Sequence, residues 1–250
     1  MINCFRVSVP DYRTSYINAV RRLQAAHPTE HAMKMAVGWN FTALGVVMRE
    51  ILISAGLKPH HHVVDVGCGS GRLAMALAPY LKGTYLGTDV VPDLLTYARD
   101  ISGRSDWRFV ETAGIDIPEK DSTADVVCFF SVFTHLLHED SFRYLIEATR
   151  VLKVDGIVVF SFLDFAIESH WTIFNWLLDA RARKLAKHHD QFLSRDIIRT
   201  WAPRLGMEIM GIRDGNAPQC HLPEDVQLED GTLMPRDATI GQSVCIMKKA

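Results

Sequence analysis

The residues best placed to do chemistry are a set of alternating glycines and a carboxylate. Val63-Val64-Asp65-Val66-Gly67-Cys68-Gly69-Ser70-Gly71-Arg72 is a short apolar run that ends in G-x-G-x-G. Glycine lets backbone turn tightly and approach a ligand closely. In an open α/β sheet, ligands bind at the carboxyl ends of the strands. A dinucleotide loop needs G-x-G-x-x-G. Counted from Gly67, its third glycine falls at position 72, where Arg72 would crowd the helix–strand packing. The loop is therefore wrong for NAD and suits another adenosine ligand. Asp89 ends the next apolar run, 22 residues beyond Gly67. A carboxylate there can accept from both hydroxyls of a ribose; the alternative is a helix N-cap ahead of Pro92. His135, in Ser131-Val132-Phe133-Thr134-His135-Leu136, is the candidate general base. A neutral imidazole near pH 7 fits that task. Its alternative is a structural histidine bonded in a loop or helix start.

Other clusters carry weaker signals. His60-His61-His62 precede a strand, and consecutive strand residues point to opposite faces, so no metal site is expected. His188-His189 reads as a substrate contact or, more simply, a solvated face. Trp171, Phe174 and Trp176 could line an acceptor pocket or pack as an ordinary helix. Arg181, Arg183, Lys184 and Lys187 could meet an anionic acceptor or form a solvated basic face.

These residues need strands and helices to hold them. The pattern predicts one long helix over Met33–Gly56, a strand at His62–Val66 and a helix at Arg72–Leu81. It continues with a strand at Tyr85–Asp89, a helix at Pro92–Arg99, and strands at Trp107–Glu111 and Asp125–Phe130. Ser141–Leu152 reads as a helix and Gly156–Phe162 as a strand. A long helical stretch follows at Ile167–Ala186, then a helix at Ser194–Leu205 with Ser194 as its N-cap. Met207–Ile212 and Gln242–Met247 read as strands, separated by a loop over Asp214–Asp237. Strands alternating with helices predict a mostly parallel sheet covered on both faces.

With those elements in order, the sequence resembles class I S-adenosylmethionine-dependent methyltransferases, of the bacterial small-molecule type. VVDVGCGSGRLA is similar to their first motif and YLGTDVVPDLLTYAR to the second. WRFVETAGIDIP resembles the adenine-binding segment, DVVCFFSVFTHL the segment after the fourth strand, and RVLKVDGIVVFSF the passage into the fifth. Gly241-Gln242-Ser243-Val244 is similar to the last strand. The likeness runs from about Gly38 to Lys248, with a gap over 166–192. It implies a doubly wound, seven-stranded Rossmann-like sheet with a helical insertion after the fifth strand. It also implies S-adenosylmethionine as cofactor, with S-adenosylhomocysteine as product, held by the loop Gly67–Arg72 (Cys68 and Arg72 included). Asp65 would orient the ligand's amino group or the loop itself, Gly67 and Gly69 would face the methionine part and ribose, and Asp89 would hold the ribose. Gly114 and Ile115 would flank the adenine, and Phe130 and Ser131 would pass the methionine part through their backbone. The chain departs from the pattern at Ala113, where an Asp is common, and at Lys153-Val154-Asp155-Gly156, where Pro-Gly-Gly is usual.

Size and composition fit. At 250 residues the chain suits a single domain, divided as an N-terminal helical cover (1–56), a cofactor-binding core (57–165), the insertion (166–192) and the rest of the sheet (193–250). A net charge of −2 argues against a duplex nucleic-acid partner. The five cysteines are scattered, without a CxxC pair, and read as reduced thiols. MINCFRVSVPDYR lacks a signal-peptide pattern, and no apolar run is long enough to span a bilayer. The expected protein is a cytoplasmic enzyme that methylates oxygen or nitrogen of a small molecule. By analogy of the FTHL segment, the acceptor is a sugar, a polysaccharide precursor or a secondary metabolite. The rivals are an NAD-dependent oxidoreductase or epimerase, and a non-catalytic module that binds an adenosyl ligand.

Overall fold

The structure is a computed structural model that describes residues 12–182 and 190–250. Arg183, Lys184, Lys187, His188 and His189, singled out above, lie outside the described residues, as do Cys4 and the Arg181 side chain. Three helices come first: α1 (Tyr12–Ala26), α2 (Thr29–Ala36) and α3 (Phe41–Ser54). β1 (Val63–Val66), α4 (Arg72–Leu77), β2 (Tyr85–Asp89), α5 (Pro92–Ser102), β3 (Arg108–Glu111) and β4 (Ala124–Phe129) follow. A 3-10 turn (Phe133–His135) leads to α6 (His138–Val151), β5 (Leu152–Asp164), α7 (Glu168–Ala182) and β6 (Phe192–Leu193). The remaining elements are α8 (Arg195–Arg204), β7 (Met207–Arg213), β8 (Cys220–His221), β9 (Asp237–Ala238) and β10 (Ser243–Lys249).

The main sheet runs β3-β2-β1-β4-β5-β10-β7, with the two-residue β6 added to the end of β5. The first five strands are parallel, and β10 is antiparallel to both β5 and β7. This is the expected Rossmann-like sheet. Its central strands are largely apolar because both faces are covered. One face packs Val47, Ile51 and Leu52 of α3 and Leu73 and Leu77 of α4 over Val63, Val126 and Val159. The other packs Leu145 and Ala148 of α6 and Ile198 and Ala202 of α8 over Val64, Val127 and Val158. The alternation of those six strand residues between faces is the pleat.

The expected single helix over Met33–Gly56 is instead two, α2 and α3, bent by 44°. Gly38 and Asn40 in the break have φ of 91° and 54°, which no helix accommodates. The apolar periodicity runs through the break because both helices bury a face there. α4 stops at Leu77, short of the expected Leu81. β5 begins earlier than expected, with Asp155 at φ 64°: Ala124 pairs with Leu152, and Val126 with Ile157. The Asp155-Gly156 turn is therefore a bulge within the strand. The loop before β10 contains a ribbon, β8 with β9. Ser194 does cap α8, its side chain accepting from the Ile197 N–H at 3.3 Å. No single described helix is long and apolar enough to cross a membrane.

Candidate active site

Parallel strands all end on one side, and the ends of β1, β2 and β4 frame a cavity of about 260 Å³. That is close to the lower end of ligand-pocket volumes. Asp65, Gly67, Cys68, Gly69, Arg72, Asp89, Phe130, Ser131 and His135 line it together. Gly114 and Ile115 are not among the lining residues. Their neighbour Thr112 is, and so is Tyr144, whose hydroxyl donates to the Gly114 carbonyl at 3.2 Å.

The glycine loop has no room for side chains. Gly67 and Gly69 have φ of 71° and 55°. A Cβ on Gly67 would lie 2.5 Å from Val132 Cγ2, and one on Gly69 2.5 Å from Val37 Cγ1. The loop thus threads between the segment after β4 and the end of α2. Asp89 fixes it from beside: its Oδ2 accepts from the Gly69 N–H and its Oδ1 from the Val91 N–H, each at 2.9 Å. The N-cap of α5 is Val91 and not Asp89, and Asp89 faces the cavity. A carboxylate has about four lone-pair sites, so these backbone donors leave capacity for a ribose hydroxyl. Beneath the loop, Asp65 accepts from the Tyr85 hydroxyl at 2.6 Å and from Cys128 Sγ at 3.5 Å. Burial pushes the Asp65 carboxyl up to about 6, against the Tyr85 and Cys128 hydrogen bonds. Burial does the same to Asp89, against its backbone N–H partners, also to about 6. Cys68 is buried and its thiol is pushed well up, first by burial and then by Asp65 and Asp89, so it contributes shape rather than a nucleophile.

Arg72 touches the cavity, but its guanidinium is directed to the break between α2 and α3. Nη2 donates to the carbonyls of Val37 and Gly38, both at 2.7 Å. The position that excluded a dinucleotide loop thus holds down the N-terminal cover. Ser70 helps, donating to the Met33 carbonyl at 2.9 Å. α1 and α2 pack through Val20 and Met33 onto Val91 and Leu94 around α5, and Arg13 pairs with Glu111 at the end of β3. α3, by contrast, packs on α4 in the flank of the sheet, so the cover proper is α1 and α2.

The cover brings a residue that nothing in the sequence marked. Tyr16, on α1, lines the cavity with its ring 5.4 Å from that of His135, edge to face. Burial, then Asp190, then Asp89 push its hydroxyl well above the ordinary range, so it stays protonated. Asp190 Oδ1 lies 3.5 Å from His135 Nδ1. Tyr16, His135 and Asp190 come from α1, the 3-10 turn and the segment before β6. The Gln191 N–H donating to the Thr134 carbonyl at 2.7 Å holds the last two together. Phe174 packs with Leu163, Leu177 and Phe192 as an ordinary helix face, while Trp171 and Trp176 are exposed and do not line the cavity. His62 lies at the other end of β1, with Nε2 3.1 Å from Glu119.

Residues 64–160 match a family model described as a methyltransferase domain. YcgJ, described as an uncharacterized methyltransferase of Bacillus subtilis (strain 168), is 27% identical over 106 residues, 41% of each chain. The demethylmenaquinone methyltransferase of Symbiobacterium thermophilum is 25% identical over 185 residues, covering 63% of this chain and 73% of that one. The magnesium protoporphyrin IX methyltransferase of Synechocystis PCC 6803, solved with bound S-adenosylhomocysteine, superposes with a TM-score of 0.63 at 14% identity, covering 96% of this chain and 98% of that one. The matched domain spans β1 to the middle of β5, and the residues around the cavity fit an adenosyl ligand: two glycines where a Cβ would strike Val132 and Val37, and a carboxylate beside them. Residues 64–160 thus form a methyltransferase domain, and the chain is similar to S-adenosylmethionine-dependent methyltransferases.

Proposed function

We propose that the protein transfers a methyl group from S-adenosylmethionine to an oxygen or nitrogen of a small-molecule acceptor in the cytoplasm. A sugar, polysaccharide precursor or secondary metabolite is the favoured class. The observation that carries this reading is one cavity lined both by the glycine loop with Asp89 and by His135, whose Nδ1 lies 3.5 Å from Asp190. The four described cysteines are free thiols, which suits a reducing compartment.

Gly67, Gly69 and Asp89 would hold the cofactor, with Asp65 setting the loop from below. Thr112, with Gly114 and Ile115 behind it, would border the adenine end, and Phe130 and Ser131 the other end. When bound, the cofactor supplies an electrophilic methyl on a sulfonium, so the protein's work is alignment and exclusion of water. His135 takes the acceptor's proton. Asp190 at Nδ1 favours the tautomer protonated there, which makes Nε2 the basic atom. A hydroxyl acceptor needs that base; an amine needs only to arrive neutral. Tyr16, held protonated, can donate to the acceptor and packs against the imidazole.

The test is transfer of isotopically labelled methyl into fractionated cell extract, with calorimetry of S-adenosylhomocysteine and NAD binding alongside. The expected result is label in the small-molecule fraction, saturable binding of S-adenosylhomocysteine and none of NAD. His135→Ala should lower the transfer rate by about 10²–10³-fold and leave S-adenosylhomocysteine affinity within about twofold. Label confined to protein or RNA would refute the acceptor class, and an unaffected His135→Ala rate would refute the base.

A further inference from the structure

Three polar side chains close a ring behind the cavity. Ser131 follows β4, Ser161 lies in β5, and Gln242 precedes β10. The Ser131 N–H donates to Ser161 Oγ at 2.7 Å, the Ser161 hydroxyl donates to Gln242 Oε1 at 2.7 Å, and Gln242 Nε2 donates to Ser131 Oγ at 3.1 Å. The direction of every bond is forced. A backbone N–H can only donate, so Ser161 Oγ accepts there. Ser161 is fully buried, and its own proton needs an acceptor. Gln242 must therefore turn its carbonyl to Ser161 and its amide nitrogen to Ser131; the flipped amide would strand the Ser161 proton. Ser131 Oγ is consequently an acceptor within the ring, and no described protein group takes its proton.

Two further features place that proton. Ser131 lines the cavity. It is also held at φ 60°, a left-handed conformation that costs a serine energy and that glycine would adopt freely. Such strain persists where the surroundings enforce it, commonly at functional sites. Here the ring and the Thr134 hydroxyl, which donates to the Ser131 carbonyl at 3.0 Å, enforce it. The position along the sheet selects the part of the ligand. Asp89 ends β2 and Thr112 follows β3, on one side of β1, where the cofactor reading puts the adenosine half. Ser131 follows β4, on the other side, and its neighbour Val132 bounds the space beside Gly67.

We propose that the Ser131 hydroxyl donates a hydrogen bond to the carboxylate at the amino-acid end of the cofactor, and that Gln242 and Ser161 are positioning residues that keep its proton in the cavity. The assignment rests on the cofactor reading and adds a side-chain role to what was expected of backbone alone. Gln242→Glu would place two acceptors in the ring. The Ser131 proton would then turn to the new carboxylate and leave the cavity. Ser131→Gly removes the hydroxyl and relieves the left-handed strain, so it separates binding from folding.

The experiment is calorimetric titration of the full chain with S-adenosylhomocysteine and with 5′-methylthioadenosine, which lacks the amino-acid end. Thermal unfolding is run alongside. Ser131→Gly and Gln242→Glu should each weaken S-adenosylhomocysteine binding about tenfold, as expected for a lost bond to a charged group. Both should bind 5′-methylthioadenosine as the wild type does. The double variant should be no weaker than either single one, and Ser131→Gly should unfold no lower than wild type. Unchanged S-adenosylhomocysteine affinity in Ser131→Gly, an equal loss with both ligands, or losses that multiply in the double variant would overturn the assignment. A wild-type protein that binds neither ligand would instead overturn the cofactor reading beneath it.

Discussion

Asp65 and Asp89 give the cavity a pH dependence whose sign can be worked out. Both carboxyls are raised from the ordinary 3.8 to about 6, and burial is the first cause in each. A raised carboxyl means that folding favours the protonated form. Each group's contribution to stability is therefore full below the unfolded value, and it is lost as pH rises through the folded one. Ligand binding has the opposite preference, because Asp89 can accept from ribose hydroxyls on both oxygens only when ionised. With a folded value of about 6, roughly a tenth of Asp89 is ionised at about pH 5, so S-adenosylhomocysteine affinity should fall about tenfold between about pH 7.5 and about pH 5. The ligand keeps its ammonium and carboxylate across that window, so the change belongs to the protein. The assay is calorimetry across the pH series, with Asp89→Asn as the control that cannot titrate. Asp89→Asn should bind more weakly at about pH 7.5 and show a flatter profile. Over the same series the unliganded wild type should lose less thermal stability on acidification than Asp89→Asn does, since protonation relieves the buried charge. A wild-type affinity that is flat over the window, or as steep in Asp89→Asn, would refute the reasoning.

The remaining predictions concern the loop and the cover. Gly71→Ala should be the costliest change among the three glycines of the loop, because its Cβ would meet the Ala98 backbone Cα at 2.8 Å with φ at 86°; a loss of about 3 kcal/mol by denaturant unfolding is expected. Gly69→Ala meets only the end of the Val37 side chain at 2.5 Å, so the cover can yield. It should lose about 1–2 kcal/mol of stability from its backbone but a larger share of its ligand affinity, and calorimetry showing normal affinity would count against the cavity lining. Arg72→Met removes the bonds to Val37 and Gly38 but also a guanidinium that burial lowers to about 10. A net loss of about 2 kcal/mol is expected, together with faster hydrogen exchange over residues 33–40, read by mass spectrometry.

The parts of the site legible in sequence are those made by short-range rules. β1, the glycine loop and α4 are contiguous, and each step is dictated locally by an apolar run, by residues that tolerate positive φ, and by a helix start. Asp89 stands in the site because β2 pairs with β1 in register, Asp65 opposite Gly87 and Val66 opposite Thr88. Tyr16 and Asp190 leave no such trace. They reach His135 from the far N-terminal side of the chain and from a segment of otherwise ordinary composition. The break between α2 and α3 is hidden for a related reason. Its apolar spacing continues across Gly38 and Asn40, and what holds the bend is a guanidinium from α4 that no local pattern announces. Gln242 is visible as a residue of the last strand, but its task depends on Ser161 and Ser131 meeting it across two strand boundaries.

That division follows the chemistry of the two halves of the cavity. The cofactor half contacts backbone in fixed positions, so it demands glycines and a carboxylate at set distances along the chain. The wall around His135 is closed by the cover. α1 and α2 are fastened by the small cluster around Val20 and Met33, by Arg72 and Ser70 on α2 and its following turn, and by Arg13 on α1. The same cover supplies Tyr16, Ala36 and Val37 to the cavity wall. A ligand that touches those residues binds the docked cover better than an undocked one, so by linkage it stabilises the docking, and the docking strengthens its binding. On the proposed function, acceptor choice depends on helices held by a few long-range bonds, whose surface can change without disturbing the sheet. A motif cannot encode a selectivity of that kind, which is why the cofactor is legible in this sequence and the acceptor is not.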